Sequence, residues 1–352
     1  VLLLKILILK LAIVNLAVSE KRKIKRMIKL NYLQYSKLKN IEISNDFSLS
    51  ALISNDKFEA LNIEYKNLFG FNKLKTIAFS KEGFLGLFLE LKGKIAISYG
   101  ESEAVVEAGL LYETLGFDIT WINLNKDGKV NLYELENKNI DFLFLSSYVM
   151  DTFVKTSIED VKNLTNAKII SNASADFNKN SDVIYFDNYK LTGFNLSGVL
   201  LFNDDIFSLL SIGQIDSLAV KLCLDALQNQ KFNYKLKAIF LEKLKEKLKE
   251  AIYFFVNPNN TLEYSLHFAL KGIKARELIR TLALNRIFIT NGEGCSLGLS
   301  KPSRIIQAMG YDALTSRNSI SFSFVDELSA EDIEKVVNTV YLKYKQIKSL
   351  GN

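Results

Sequence analysis

The chain is poor in the residues that carry metal, disulfide and triad chemistry: its 352 residues include two cysteines, one histidine and two prolines. Cys223 and Cys295 cannot build a disulfide framework, and no Cys/His cluster has metal-ligand spacing. Such cysteine usage fits a reducing cytoplasm. The single histidine restricts mechanism most. A Ser-His-Asp or Cys-His device would have to use His267, which lies in Glu263-Tyr264-Ser265-Leu266-His267-Phe268-Ala269. That alternation predicts a strand, with His267 an ordinary member of it. Strong charge of one sign is also missing. The net charge is +6, and Lys and Glu alternate along predicted helices instead of forming a basic stripe, which argues against nucleic-acid binding. There is no internal repeat and no low-complexity segment.

What is present is ordinary for a globular protein of two domains: 48% apolar and 24% charged residues over a length above one typical domain. The first 26 residues stand apart. Val1 to Val18 is apolar but interrupted by Lys5 and Lys10 and followed by Lys21-Arg22-Lys23. This order is the reverse of a signal peptide, and two lysines within a membrane span are costly. Two readings stay open: translation begins near Met27, or the segment is a peripheral membrane helix.

From residue 75 to residue 202 short apolar strands alternate with helices, which predicts an α/β sheet covered on both faces. Strands are expected at 75–79, 94–98, 118–122, 140–145, 167–170, 182–186 and 197–202. Helices are expected at 104–115, from Asn131 and at 157–164. After Asp216 long helices take over, including an amphipathic one at 240–255 whose Lys/Glu run predicts i,i+4 pairs on a solvated face. The strands expected at 262–269, 286–290 and 319–324, with helices at 274–285, 302–308 and 329–348, form a smaller α+β domain. The predicted division is an extension over 1–26, a large domain over 45–235, and a small one from 27–44 and 236–352.

The strongest local signal is Gly294-Cys295-Ser296-Leu297-Gly298-Leu299-Ser300-Lys301-Pro302-Ser303, followed by Arg304 to Gly310. A thiol in a glycine-bounded polar loop before a proline-initiated helix is placed to react. The segment resembles the cysteine loop of the NifS-type cysteine desulfurases, pyridoxal phosphate (PLP) enzymes of the class V aminotransferase group. The Cys, Gly, Pro-Ser and Ala308-Met309-Gly310 elements match at the family spacing. A second match is Asp182 to Gly193, where Asp182, Lys190 and Gly193 fall on the family's Asp, Schiff-base lysine and glycine. Gly128 to Leu135 and Gly213-Gln214 resemble two further segments, so the resemblance covers residues 27–352.

The resemblance implies a PLP-dependent type I fold: a large domain with a mostly parallel seven-stranded sheet, and a smaller α+β domain. It implies conversion of cysteine, or a related amino acid, to alanine, with sulfur left as a persulfide on Cys295 and passed to an acceptor protein by a homodimer. Lys190 and Cys295 would be catalytic, and Lys190, Asn172, Ser102 and Gln214 would lie on the cofactor. A lysine ending a buried strand is expected to lose its proton by desolvation. The departures point to weak PLP binding. Ser102 stands where the family stacks a histidine on the ring, and Asn172 where an Asp holds the pyridine nitrogen. Asp187 replaces a phosphate-binding Ser, Glu82-Gly83-Phe84 replaces the Gly-x-Thr phosphate loop, and Ser321 replaces the substrate-binding Arg. The alternative reading is a paralog that keeps the thiol as a sulfur relay or binding partner.

Overall fold

The computed structural model describes residues 27–31, 47–49, 55–293 and 301–350. In chain order the first half contains β1 (Ile28–Lys29), α1 (Asp56–Phe69), β2 (Lys73–Ile77), α2 (Lys81–Glu90), β3 (Ile95–Ser98), α3 (Glu103–Thr114), β4 (Ile119–Ile122) and β5 (Phe142–Phe144). Then follow α4 (Ile158–Leu164), β6 (Lys168–Asn172), β7 (Val183–Phe186), α5 (Asn188–Thr192), β8 (Gly198–Phe202), α6 (Ser217–Gln228) and α7 (Leu236–Leu248). The C-terminal part adds β9 (Ile252–Tyr253), β10 (Ser265–Leu270), α8 (Ala275–Leu284), β11 (Ile287–Phe288), α9 (Arg304–Ala308), α10 (Ala313–Ser316), β12 (Ser319–Ser323) and α11 (Ala330–Leu350).

Seven strands form one sheet in the order β2-β8-β7-β6-β5-β3-β4. All pairs are parallel except those of β8, which runs antiparallel to β2 and β7. Both faces are covered, and β3, β7 and β8 are buried along their whole length, whereas the edge strands β2 and β4 are partly exposed. Along β7 the period of two is explicit. Val183 and Tyr185 pack with Phe84, Phe88 and Val105 of α2 and α3, whereas Ile184 and Phe186 pack with Leu61 of α1 and Val220 of α6. The α/β fold class and the seven-stranded, mostly parallel sheet expected from the sequence are both present.

The second unit is built on β12-β10-β9, an antiparallel sheet. Helix α11 lays Ile333, Val336, Val337, Val340 and Tyr344 on it, the i, i+3, i+4, i+7 spacing of an amphipathic helix. Phe240 of α7, Phe268 of β10 and Phe322 of β12 complete this core at ring separations of 5.1 to 5.7 Å.

Three local expectations are corrected. The helix predicted over 240–255 is α7 and stops at Leu248; Lys249 has φ +49°, and Ile252 and Tyr253 instead pair with Leu270 and Ala269 of β10. Tertiary pairing outweighs the helical propensity of the Lys/Glu run. Its charges also serve long-range contacts: Lys243 pairs with Glu334 of α11, and Lys247 lies over the Tyr341 ring. The helix expected from Asn131 is a single 3-10 turn, Leu132–Leu135. Lys190 does not end a strand. It lies on α5, one short turn that begins where Asp187 accepts the Lys190 amide and ends at Gly193 with φ +80°.

Candidate active site

The carboxyl ends of β3, β6 and β7 carry the polar residues of the sheet. Glu101, just past β3, is wholly buried; its carboxylate accepts from Ser146 Oγ at 2.5 Å and Tyr185 OH at 2.6 Å. Burial pushes its carboxyl above the ordinary value, against the pull of those bonds. Ser102 opens α3 and is buried beside it. Asn172 ends β6: its amide donates to Ser146 Oγ at 2.8 Å, and its Oδ1 accepts from the Ser174 amide at 2.9 Å. Its Nδ2 is buried without a hydrogen-bond partner among the described residues. Ser174 Oγ in turn accepts from the Asp187 amide at 2.8 Å.

Lys190 reaches into this group from α5, and its Nζ stands 2.7 Å from Glu293 Oε1, 3.9 Å from Asp187 Oδ2 and 3.7 Å from Met150 Sδ. Burial alone would lower the amine's pKa, as expected from the sequence. The charges of Glu293 and Asp187 outweigh it, and the net shift is upward. Lys190 is therefore an ammonium at neutral pH, and the expectation of a desolvated, proton-free amine is corrected. Glu293 shows the complementary effect: burial raises its carboxyl, but the Lys190 and Arg304 charges bring it below the ordinary range.

Glu293 is held at its amide and at both carboxylate oxygens. Its amide donates to Asp151 Oδ1 at 2.8 Å, and its Oε2 accepts from the Glu103 amide at 2.8 Å, at the amino end of α3. An anion is favoured at that position by the helix dipole and free N–H groups. Gly292 precedes it at φ +114°, and a Cβ there would fall 2.1 Å from the Asp151 carboxylate, so only glycine admits this approach. Asp151 also accepts from Ser303 Oγ at 2.9 Å. Burial, then the Glu293 charge, raises the Asp151 carboxyl to about 6. Arg304, the first residue of α9, donates to the carbonyls of Tyr99, at 2.7 Å, and Glu101. Ser321 does not bind a carboxylate: its hydroxyl donates to the Asp151 carbonyl at 2.8 Å and accepts from His267 Nδ1 at 2.9 Å. His267 is the buried strand residue expected, its ring pKa lowered to about 4 by burial.

A series of hydrogen bonds through Asp187, Ser174, Ser146 and Glu101 thus links Lys190, Asn172 and Ser102. Gln214 is exposed on a 3-10 turn and its backbone oxygen accepts from Thr76 Oγ at 3.5 Å; it makes no hydrogen bond to this group among the described residues. Cys295 lies outside the described residues, as does the 1–26 segment. Sequence reasoning missed Glu293, Asp151 and Arg304. Glu293 and Arg304 flank the cysteine segment on both sides, and a charged residue next to a reactive loop was the available signal.

PLP would bring a ring, an aldehyde and a doubly charged phosphate, and the residues as arranged do not fit it. Ser102 and Asn172, both expected on the ring, and the neighbouring Glu101 are 0% exposed, so no water-sized space adjoins these three. Asp187 spends its carboxylate capping α5 and would repel phosphate. At the start of α2, where the family binds phosphate, Ser80 caps the Gly83 amide, and a Cβ on Gly83 would fall 1.9 Å from the Ala78 oxygen. The helix start is packed against the strand end instead of forming an anion nest. A cavity of about 230 Å³ lies nearby, walled by Asp151, Glu293 and Arg304, but Lys190 is not part of its wall.

Comparison with known proteins agrees with this fold. No protein-family model matches the chain. It is 20% identical over 306 residues to cysteine desulfurase IscS of Buchnera aphidicola, covering 75% of this chain and 73% of that protein. It is 28% identical over 74 residues to an IscS-like cysteine desulfurase of Mycobacterium tuberculosis, covering 21% of this chain and 19% of that protein. Among solved structures, a NifS-like protein superposes with a TM-score of 0.70 at 13% identity, over 91% of this chain and all of the other. SspA in complex with cysteine superposes with a TM-score of 0.64 at 15% identity, over 85% and 99%. The chain thus shares the fold of NifS-like proteins and is similar in sequence to cysteine desulfurases.

Proposed function

We propose that the chain works in cysteine desulfurase-like sulfur transfer, with Cys295 as the sulfur-carrying thiol and with sulfur delivered to it by a donor protein. One observation carries this reading: the lysine at the cofactor position stands 2.7 Å from the Glu293 carboxylate, beside the buried Asp187. The other thiol is unsuited to the role, since Cys223 is wholly buried and burial pushes it up to about 12. In the step proposed, the Cys295 thiolate attacks the outer sulfur of a donor persulfide. The donor's S–S bond breaks, its thiolate leaves, and a persulfide remains on Cys295 with no net oxidation. An acceptor thiol repeats the exchange. The partners are a sulfur donor, a sulfur acceptor and a second copy of this chain, and a reducing cytoplasm suits the thiol.

The second reading is turnover of cysteine to alanine by the chain itself. It is favoured by the retention of both Lys190 and Cys295 at the family positions, and by the likeness to a structure solved with cysteine. One experiment separates the two. Purified protein is given cysteine and a separate active desulfurase, and the persulfide is located by mass spectrometry. The relay expects sulfur on Cys295, its loss in Cys295→Ser and its persistence in Lys190→Met. Alanine release by the chain with PLP alone, abolished by Lys190→Met, overturns the relay and establishes the second reading.

A further inference from the structure

We infer that Glu293 is a built-in occupant of the cofactor seat: its carboxylate takes the Lys190 amine that an aldehyde would need, and Lys190 reacts with aldehydes only when Glu293 is displaced. This deepens the proposed function without depending on whether sulfur reaches Cys295 from a donor. Three observations converge on it. Glu293 stands between the cavity and the lysine, for it lines the cavity and pairs with Lys190 Nζ at 2.7 Å, whereas Lys190 is absent from the wall. Both carboxylate oxygens are engaged, Oε1 by Lys190 and Oε2 by the Glu103 amide at the amino end of a 12-residue helix. The backbone is fixed as well, by the Glu293 amide on Asp151 and by Gly292, where no side chain fits. A residue anchored at its amide, both oxygens and its preceding turn is not a chance neighbour of the lysine.

The chemistry gives the contact its consequence. A lysine forms an imine only as the neutral amine: the nitrogen lone pair attacks the aldehyde carbon, and water leaves. Glu293 and Asp187 both favour the charged form, so the amine must lose a proton and a charge-assisted hydrogen bond before it can attack. The charged groups facing Glu293 are Lys190 and Asp187 from α5, Arg304 from α9, Glu103 from α3, Glu101 just past β3, and Asp151. Of these, only Lys190 and Arg304 are cations, and Arg304 spends two N–H groups on the carbonyls of Tyr99 and Glu101. Lys190 is thus the principal charge partner of Glu293.

The test is covalent trapping of PLP on Lys190 with borohydride, read by peptide mass spectrometry in the full chain. Glu293→Gln keeps the shape and removes the charge. It is expected to raise the trapping rate on Lys190 at least about tenfold, the equivalent of one pKa unit in the amine. Glu293→Asp, one methylene shorter, should fall between. A second measurement needs no variant: in the native wild-type protein, acetylation of Lys190 should lag behind that of Lys129, which is 53% exposed, and the lag should vanish on unfolding. Fast stoichiometric trapping in the wild type, or a native Lys190 as reactive as Lys129, overturns the inference. The relay fails on a different result, the absence of sulfur on Cys295.

Discussion

The core between β10, β12, α7 and α11 and the seat around Lys190 are both largely shielded from water, but different physics shields them. The first is filled by Phe240, Phe268, Phe322, Val336 and Val340, none of which has an electrostatic partner to find. The second holds the buried Glu101, Asp151 and Asp187 with the mostly shielded Lys190 and Glu293; each would be expensive to bury alone, and hydrogen bonds or an opposite charge offset that cost. The apolar core tolerates any neighbour of suitable volume. The seat tolerates only its particular partners, so its stability and its reactivity are the same property.

The difference is sharpest in mutants. Phe322→Ala removes a ring from a fully buried site packed between Phe240 and Phe268, and should cost about 3–5 kcal/mol in urea unfolding. A loss below about 1 kcal/mol would show that the C-terminal core is not packed as described. Lys190→Met strands the Glu293 charge and should cost about 3 kcal/mol, yet Glu293→Gln added to it should restore part of the loss. Simple additivity of the two changes would show that the pair is not coupled, and the seat would then resemble the core.

The single histidine gives a smaller, pH-dependent test within the apolar unit. Its ring is held neutral, at about 4 in the folded chain against an ordinary 6.5. The stability from keeping it neutral is fully present above the unfolded value and is lost as pH falls toward the folded one. Between about pH 7 and about pH 5 the wild type should lose about 2 kcal/mol more than His267→Asn. Asp151 runs the other way, because its raised carboxyl favours folding as pH falls through about 6. It is present in both proteins and drops out of the difference. Equal pH slopes in the two proteins would place His267 in contact with water.

Most of the fold was legible because it rests on short-range periodicity. The strands from β2 to β8 and the helices α3, α4, α8 and α11 fall within a few residues of their predicted places, since an apolar run bounded by turns has few other uses. The longest misread element has a tertiary cause. The 240–255 helix stops early because Ile252 finds Leu270, and Lys243 leaves its own helix for Glu334. The candidate site divides in the same way. Lys190, Asn172 and Ser102 were found by resemblance, but Glu293, 103 residues beyond Lys190, was invisible until the chain was folded.

The sequence by itself determined the layered α/β architecture and the strand position of His267, and it singled out Cys295 over Cys223 as the thiol of interest. These follow from pattern, composition and spacing along one dimension. Only the tertiary structure decided the state of Lys190. Desolvation argued for a free amine, and the sequence supplied no means of weighing it against a carboxylate brought in from another part of the chain. Proximity between distant residues is a property of the fold, and near a buried charge it decides the sign of the outcome.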